Sequence, residues 1–441
     1  MRLNTVILVL SVAISSFADA AASQFIFHSE KLAPVVSSSE AEVIPHSYMV
    51  VFKNGIRAND HSSWFRDLHG RDITRNGVWI DELHNKVDGG VKHVYDIGSF
   101  QGIAGRFRPE ALDEIRRSPI VDYIELDQAV YLAETQKNAP WGLARISHRK
   151  TLTYKTMSKY EHNPNGGEGI TVFVIDTGIN IHHEEIQGRA SWGVNTLGNG
   201  VESDDHGHGT YCASIVAGKT YGVAKKANVV AVKVVGANGG GSVSQVIAGV
   251  DFAIKEHLSL KAKEGNKYRG SVVNMSLGIE RSRSANSAVT SAVAEGLHIA
   301  VAAGNENQDA CNVSPASAEA VITVGASNVR DERAFFSNHG PCVDIFAPGV
   351  DVKSAWKGDN TTLSTASGTS AASPHVAGYV AYYLSLAPVK ESAFHSGAIS
   401  PKEMKQFIKE TSTRDSLRDI DSRTPNLLLY NGDIAESYHA W

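Results

Sequence analysis

From Ile170 onward the chain repeats short, β-branched apolar runs: Ile170-Thr-Val-Phe-Val-Ile175, Val229-Val-Ala-Val-Lys-Val-Val235, Val272-Val-Asn-Met275, His298-Ile-Ala-Val-Ala302 and Val321-Ile-Thr-Val324. Amphipathic stretches over 242–257 and 284–297 lie between them. Strands apolar on both sides, alternating with helices, predict an α/β fold: a parallel sheet covered by helices on both faces. Such sheets place their chemistry at the carboxyl ends of the strands. The preceding segment has a different texture. Tyr48-Met-Val-Val-Phe52, a helical turn at Ser63-Trp-Phe-Arg-Asp-Leu68, and paired runs at Val91–Tyr95 and Gly102–Phe107 come first. An amphipathic stretch at Arg108–Arg117 and the alternating Val121–Leu126 complete the set. The order β-α-β-β-α-β is that of a ferredoxin-like α+β unit. Polar Gln136-Lys-Asn-Ala-Pro140 then reads as a linker or cleavage site.

The first residues add a compartment. Arg2 precedes the apolar run Thr5–Ile14, and Ala18-Asp-Ala20 offers the small-x-small pattern of a signal-peptidase site. The run is too short for a membrane span, so a cleaved secretory signal over 1–20 and no membrane span after its removal are expected. With 441 residues, 42% of them hydrophobic and 20% charged, the chain has material for more than one globular domain. A net charge of −5 argues against nucleic acid as a partner. Three cysteines exclude a small disulfide scaffold.

Four motifs carry candidate chemistry. Asp176-Thr-Gly178 puts a carboxylate at the end of a buried strand, where it needs a partner. Asp204-Asp-His-Gly-His208-Gly leaves the His208 imidazole on an unobstructed loop, followed by the small residues Cys212, Ala213 and Ser214. Ser367-Gly-Thr-Ser370 sets a serine at a helix start, where free N–H groups and positive potential favour an oxyanion. Ala302-Ala-Gly-Asn305 ends a strand with a side-chain amide donor. Each alone is also read as a turn, a loop or a cap. Together they supply an acid, a base, a nucleophile and an oxyanion donor. A metal reading of Asp204, Asp205, His206 and His208 stays open beside it, although the spacing fits no standard zinc motif.

With its order Asp, His, Ser, the segment 139–432 resembles the subtilisin-type serine proteases (subtilases), in particular the proteinase K branch and its fungal cerevisin group. The matching pieces are Asp176–Gly178, Gly207–Thr210, Asn274–Gly278, Ala302–Asn305, Gly368–Ser370 and Ser373–Gly378. Ala139-Pro-Trp-Gly-Leu-Ala-Arg-Ile-Ser-His148 is similar to the mature start in the cerevisin group. Residues 45–134 resemble the inhibitory propeptide of these enzymes, with a cut near 133–138 and a short tail at 433–441.

The resemblance implies Ser370 as nucleophile, His208 as base and then acid, Asp176 as its orienting partner, and Asn305 in the oxyanion hole. It implies that Gly239, Gly240 and Gly241 and, opposite them, Ser276, Leu277 and Gly278 flank an extended polypeptide substrate. Ala302, Ala303 and Gly304 would line a pocket for a large apolar or aromatic residue. It also implies a Cys311–Cys342 bridge and a structural calcium at Asp344 with carbonyls near Glu319 and Val321, while the chemistry needs no cofactor. Vacuolar lumen comes first as location, export or the cell or spore wall second. Sequons stand at Asn274, Asn312 and Asn360, the last in a polar loop. Tyr211, Ser214-Ile215 and Ala371 depart from the family pattern. They are expected to crowd or reshape the site, which keeps a catalytically weak subtilase acting in wall or spore maturation as the alternative.

Overall fold

The computed structural model describes residues 32–36, 43–61, 63–65, 67–68, 89–128, 134–265, 268–386 and 399–432. The signal expected at 1–20, the tail at 433–441 and residues 129–133 of the junction lie outside the described residues.

The N-terminal unit is a five-stranded sheet ordered β1-β5-β2-β4-β3. Its strands are β1 (Val35–Val36), β2 (Val43–Phe52), β3 (Gly90–Ile97), β4 (Phe100–Arg106) and β5 (Val121–Gln128). Helix α1 (58–61, 63–65 and 67–68) and α2 (Pro109–Arg117) complete it. Strands β2 to β5 have the expected ferredoxin-like order, and β1 adds a parallel edge beside β5. Val50, Phe52, Phe65, Ile103, Phe107, Ile115 and Ile124 form its core. Pro109 starts α2, where a missing N–H costs nothing.

The polar stretch read as a linker is partly a strand. β6 (Glu134–Lys137) pairs antiparallel with β7 (Lys159–His162), and Gln136 Nε2 donates to Thr220 O at 2.9 Å. An edge strand is held by backbone bonds, so its side chains need no apolar periodicity.

The larger unit is a nine-stranded sheet ordered β19-β20-β16-β15-β13-β11-β8-β10-β9. From the centre outward its strands are β8 (Thr171–Asp176), β10 (Asn228–Lys233), β9 (Ala190–Asn195), β11 (Ser271–Met275), β13 (His298–Ala302), β15 (Ile322–Ser327), β16 (Ile345–Pro348), β20 (Leu427–Leu428) and β19 (Thr413–Arg414). All neighbours are parallel except β19 and β20. Besides β6 with β7, two short antiparallel pairs sit outside the sheet: β12 (Ile279–Glu280) with β14 (Val313–Ser314), and β17 (Val352–Ala355) with β18 (Leu363–Ala366).

Strand alternation divides the core. Val172 and Val174 face α4 (His208–Ala217) and α7 (Thr369–Leu386). Phe173 and Ile175 face α5 (Val243–Glu264) and α6 (Arg283–Ala294). Both faces are covered, which is why these strands read as continuous apolar runs. Helices α4 and α7 are buried almost all round, so neither shows a polar face in its sequence. Helix α5 opens on a reciprocal Ser242–Gln245 capping box. It continues past the predicted end at His257 to Glu264, through charged residues of high helix propensity. A short helix α3 (Trp141–Ile146) precedes the sheet, and α8 (Pro401–Thr411) follows α7.

Candidate active site

Asp176 is the last residue of β8, and His208 the first of α4. The carboxylate is buried, and the imidazole side chain is 25% exposed. His208 Nδ1 lies 2.8 Å from Asp176 Oδ1 and 3.0 Å from Oδ2. Thr177 N donates to the same Oδ1 at 2.8 Å, which satisfies the carboxylate without taking it from the ring.

The His208 loop is held by Asp204, a residue the sequence reading placed only in a metal set. Its Oδ1 accepts from Gly207 N at 2.7 Å and from Thr177 Oγ1 at 2.8 Å. Its Oδ2 accepts from Thr210 N at 2.8 Å and Thr210 Oγ1 at 2.6 Å. Bonds to a charged acceptor contribute about 1.5–3 kcal/mol each, so this carboxylate acts as a clamp on the start of α4. Asp205 is paired with the buried Lys233 ammonium at 2.7 Å. The rings of His206 and His208 stand 6.2 Å apart at 72°. With both carboxylates committed, the four residues do not form the zinc site that the spacing left open. Glycine is required here: a Cβ on Gly209 would lie 2.0 Å from Gly178 O, and one on Gly207, at φ 103°, would strike Trp356.

Ser370 is the second residue of α7. Pro374 lies inside this helix and carries no N–H, so it cannot bond the Ser370 carbonyl four residues earlier. The freed carbonyl accepts from Ser276 Oγ at 3.0 Å and from the Cys212 thiol at 3.4 Å. Cys212 Sγ also lies 3.9 Å from His208 Nδ1. Asp176, His208 and Cys212 present ligand-type atoms all within 4.8 Å of one another. The nucleophile candidate is thereby tied to β11 and to the helix that bears the imidazole.

Asn305 follows β13 and is exposed. Its Oδ1 accepts from Thr369 N at 2.8 Å and Thr369 Oγ1 at 2.9 Å, which leaves the amide N–H groups for another acceptor. A Cβ on Gly368 would sit 2.8 Å from Ser370 Oγ, 3.5 Å from Ser370 N and 3.6 Å from Asn305 Nδ2. Hydroxyl, backbone donor and side-chain donor thus surround one small volume that only glycine leaves open.

Burial on its own would pull the His208 imidazole down. The Asp176 carboxylate outweighs it and holds the ring well above the usual imidazole range. Burial pushes the Cys212 thiol up.

The remaining predicted residues fall around this centre. Gly239–Gly241 form an exposed turn in which Gly236 N donates to Gly240 O at 2.9 Å. A Gly239 Cβ would lie 3.5 Å from His206 Nε2, so the turn borders the His208 loop. Ser276 is buried with its hydroxyl on Ser370 O, while Leu277 is half-buried and Gly278 exposed. Ala302, Ala303 and Gly304 are buried at the end of β13, and Asn338 holds both Ala303 O and Gly304 O. Cys311 and Cys342 are joined by a disulfide.

Two expectations change. Tyr211 does not crowd the site: its hydroxyl donates to Val352 O at 2.8 Å and anchors the β17–β18 hairpin. The calcium expected at Asp344 does not fit, because a lysine takes the oxygen set. Lys405 Nζ donates to Glu319 O and Val321 O, both at 2.7 Å, and lies 2.8 Å from Asp344 Oδ2. Among residues the sequence reading passed over, Thr369 and Pro374 were inside quoted motifs. Lys405 left no local signal, since it meets its partners from a different element.

Residues 167–427, more than half of the chain, match the subtilase family model, and residues 47–133 match peptidase inhibitor I9. The chain belongs to the subtilase family. It is 47% identical to the subtilisin-like serine protease Pen ch 18 of Penicillium rubens, over 92% of this chain and 84% of that one. It is likewise 47% identical to alkaline protease 2 of Aspergillus fumigatus, over 92% and 85% of the two chains. Among solved structures, a cold-adapted subtilisin-like serine proteinase matches at 40% identity with a TM-score of 0.59, covering 67% of this chain and 99% of its own. This subtilase is a serine endopeptidase that carries its own inhibitory propeptide. Subtilases need no cofactor for catalysis, and no described helix is long and apolar enough to cross a membrane.

Proposed function

We propose that this subtilase is made as a secretory-pathway zymogen and hydrolyses polypeptides through an acyl-enzyme at Ser370. Ser370 Oγ attacks the carbonyl carbon of the scissile bond and passes its proton to His208 Nε2. Asp176 keeps the other ring nitrogen protonated and stabilises the imidazolium. The tetrahedral oxyanion is met by Ser370 N–H and Asn305 Nδ2–H, and His208 then protonates the departing amine. Water hydrolyses the ester by the same steps reversed. The observation that carries this reading is the convergence of Ser370 Oγ, Ser370 N and Asn305 Nδ2 on the space at Gly368, with His208 paired to Asp176 at 2.8 Å.

Ala302, Ala303 and Gly304 bring only small side chains to the pocket edge, which favours large apolar or aromatic residues before the cut. The Gly239–Gly241 and Ser276–Gly278 segments receive an extended chain on either side by backbone pairing. The signal-like start and the disulfide support an oxidising, lumenal setting, the vacuole first and export second. In that setting Asn360, exposed in its loop, is the sequon that takes glycan, whereas Asn274 is fully buried and bonded to Ser276 and Ser373.

N-terminal sequencing of purified wild-type and Ser370→Ala protein, each treated with a fluorophosphonate probe, tests the proposal. Wild-type protein should be cut near 133–138 and labelled on Ser370, and the variant should stay uncut and unlabelled. A mature wild-type protein without label would overturn it.

A further inference from the structure

Helix α8 brings two lysines, one turn apart, to a single carboxylate on the far side of a strand edge. A Ser400–Glu403 capping box and Pro401 fix where the helix starts, and Met404, Phe407 and Ile408 bury its apolar face. That leaves Lys405 and Lys409 pointing at Asp344, the residue just before β16. Asp344 is itself pinned, with Oδ2 accepting from Thr323 N at 2.9 Å and its own N donating to Thr323 O at 2.9 Å. The Asp344 side chain is 10% exposed and that of Lys405 19%.

The Lys405 ammonium donates two N–H groups to Glu319 O and Val321 O, and its charge stands 2.8 Å from Asp344 Oδ2 as an ion pair. Two carbonyls and a carboxylate converging in this way are the donor chemistry of a hard divalent cation, which needs about six to eight oxygens at 2.3–2.6 Å. Here the oxygens stand at hydrogen-bonding distance around nitrogen. Lys409 Nζ lies 3.5 Å from Asp344 Oδ1, so two ammonium groups face one carboxylate and the cluster is already net positive. A divalent ion would have to displace one ammonium and meet the repulsion of the other.

We infer that Lys405 is a covalently tethered counter-ion that does the work of a divalent cation at Asp344, so that this clamp of α8 onto the β15–β16 edge holds without metal. The corollary is a latent site: removing both ammonium groups leaves an anionic oxygen cradle that takes calcium. The inference concerns folding stability and stands apart from the roles assigned to Ser370 and His208.

The test is thermal unfolding of the processed protein, with a serine reagent present to suppress self-digestion, in EDTA and in millimolar calcium chloride. The parent Tm should be the same in both. K405A/K409A should melt about 5 °C lower in EDTA, since a nearly buried carboxylate has lost its partners, and calcium should recover most of that loss. Adding D344N to the pair should abolish the recovery. A calcium-dependent Tm in the parent that D344N removes would overturn the inference, as would K405A/K409A indifferent to calcium. If the double variant does not accumulate as folded protein, K405Q keeps the stem and packing, and its calcium response decides in the same way.

Discussion

His208 sets the pH at which this subtilase works, because only the neutral ring accepts the Ser370 proton. Asp176 raises the ring against the opposing effect of burial, so kcat/KM should climb on the alkaline side of the ordinary imidazole value of 6.5. Asp176→Asn removes the anion. The acid limb should then move to lower pH while the plateau falls by about 10⁴-fold, as expected when the wrong tautomer is held. A pH profile with a chromogenic peptide ending in an aromatic residue reads both effects. Cys212 gives a second prediction at this scale. Its thiol is buried and held protonated, so a thiol-directed alkylator should react slowly. A soft metal needs only the cluster of Cys212, His208 and Asp176. A mercurial should abolish hydrolysis in the wild type and spare Cys212→Ala, and equal inhibition of both would place the sensitivity elsewhere.

At the scale of elements, the proline in α7 is the informative feature. Within a helix Pro374 forfeits a backbone bond, a cost of roughly 3 kcal/mol. The carbonyl it frees is the one that Ser276 and Cys212 hold. Pro374→Ala allows the helix to reclaim that carbonyl and turns the first residues of α7 toward regular geometry. With the fold retained, kcat should drop by about 10–100-fold through misplacement of Ser370, with little change in KM. A variant with unchanged kcat and a higher Tm would show that Pro374 serves only as a helix irregularity. The motif Ser370-Ala-Ala-Ser-Pro374 was visible as a string. The destination of its carbonyl was not, because the partners come from α4 and from the residue after β11.

For the whole molecule, connectivity governs how the peptidase unit is reached. Strand β8 pairs with β10 on one side and with β11 on the other, the latter only after α4 and α5 have been laid down. Non-local parallel pairing is slow, since loop-closure entropy is lost before contacts repay it. A propeptide domain with its own core is therefore expected to assist folding as well as to inhibit. Expression without residues 45–134 should yield little active enzyme, and co-expression of that segment as a separate chain should recover activity. Equal specific activity with and without it would refute a folding role.

Much of this architecture was legible along the chain, for a physical reason. Strands buried on both faces must be apolar throughout, so five of the central strands appeared as runs within three residues of their ends. The Asp, His, Ser and Asn motifs needed glycine beside them, because backbone approaches such as that of Gly209 to Gly178 O admit no side chain. Strand β6 was hidden because it is held by backbone bonds that every residue can make, and the Asp204 clamp because half its donors are backbone N–H groups and Thr177 reaches it from a different strand end. The tertiary structure alone decided which cation meets Asp344. Carbonyl oxygens have no sequence signature, and whether they face a metal or the ammonium of Lys405 depends on how α8 docks.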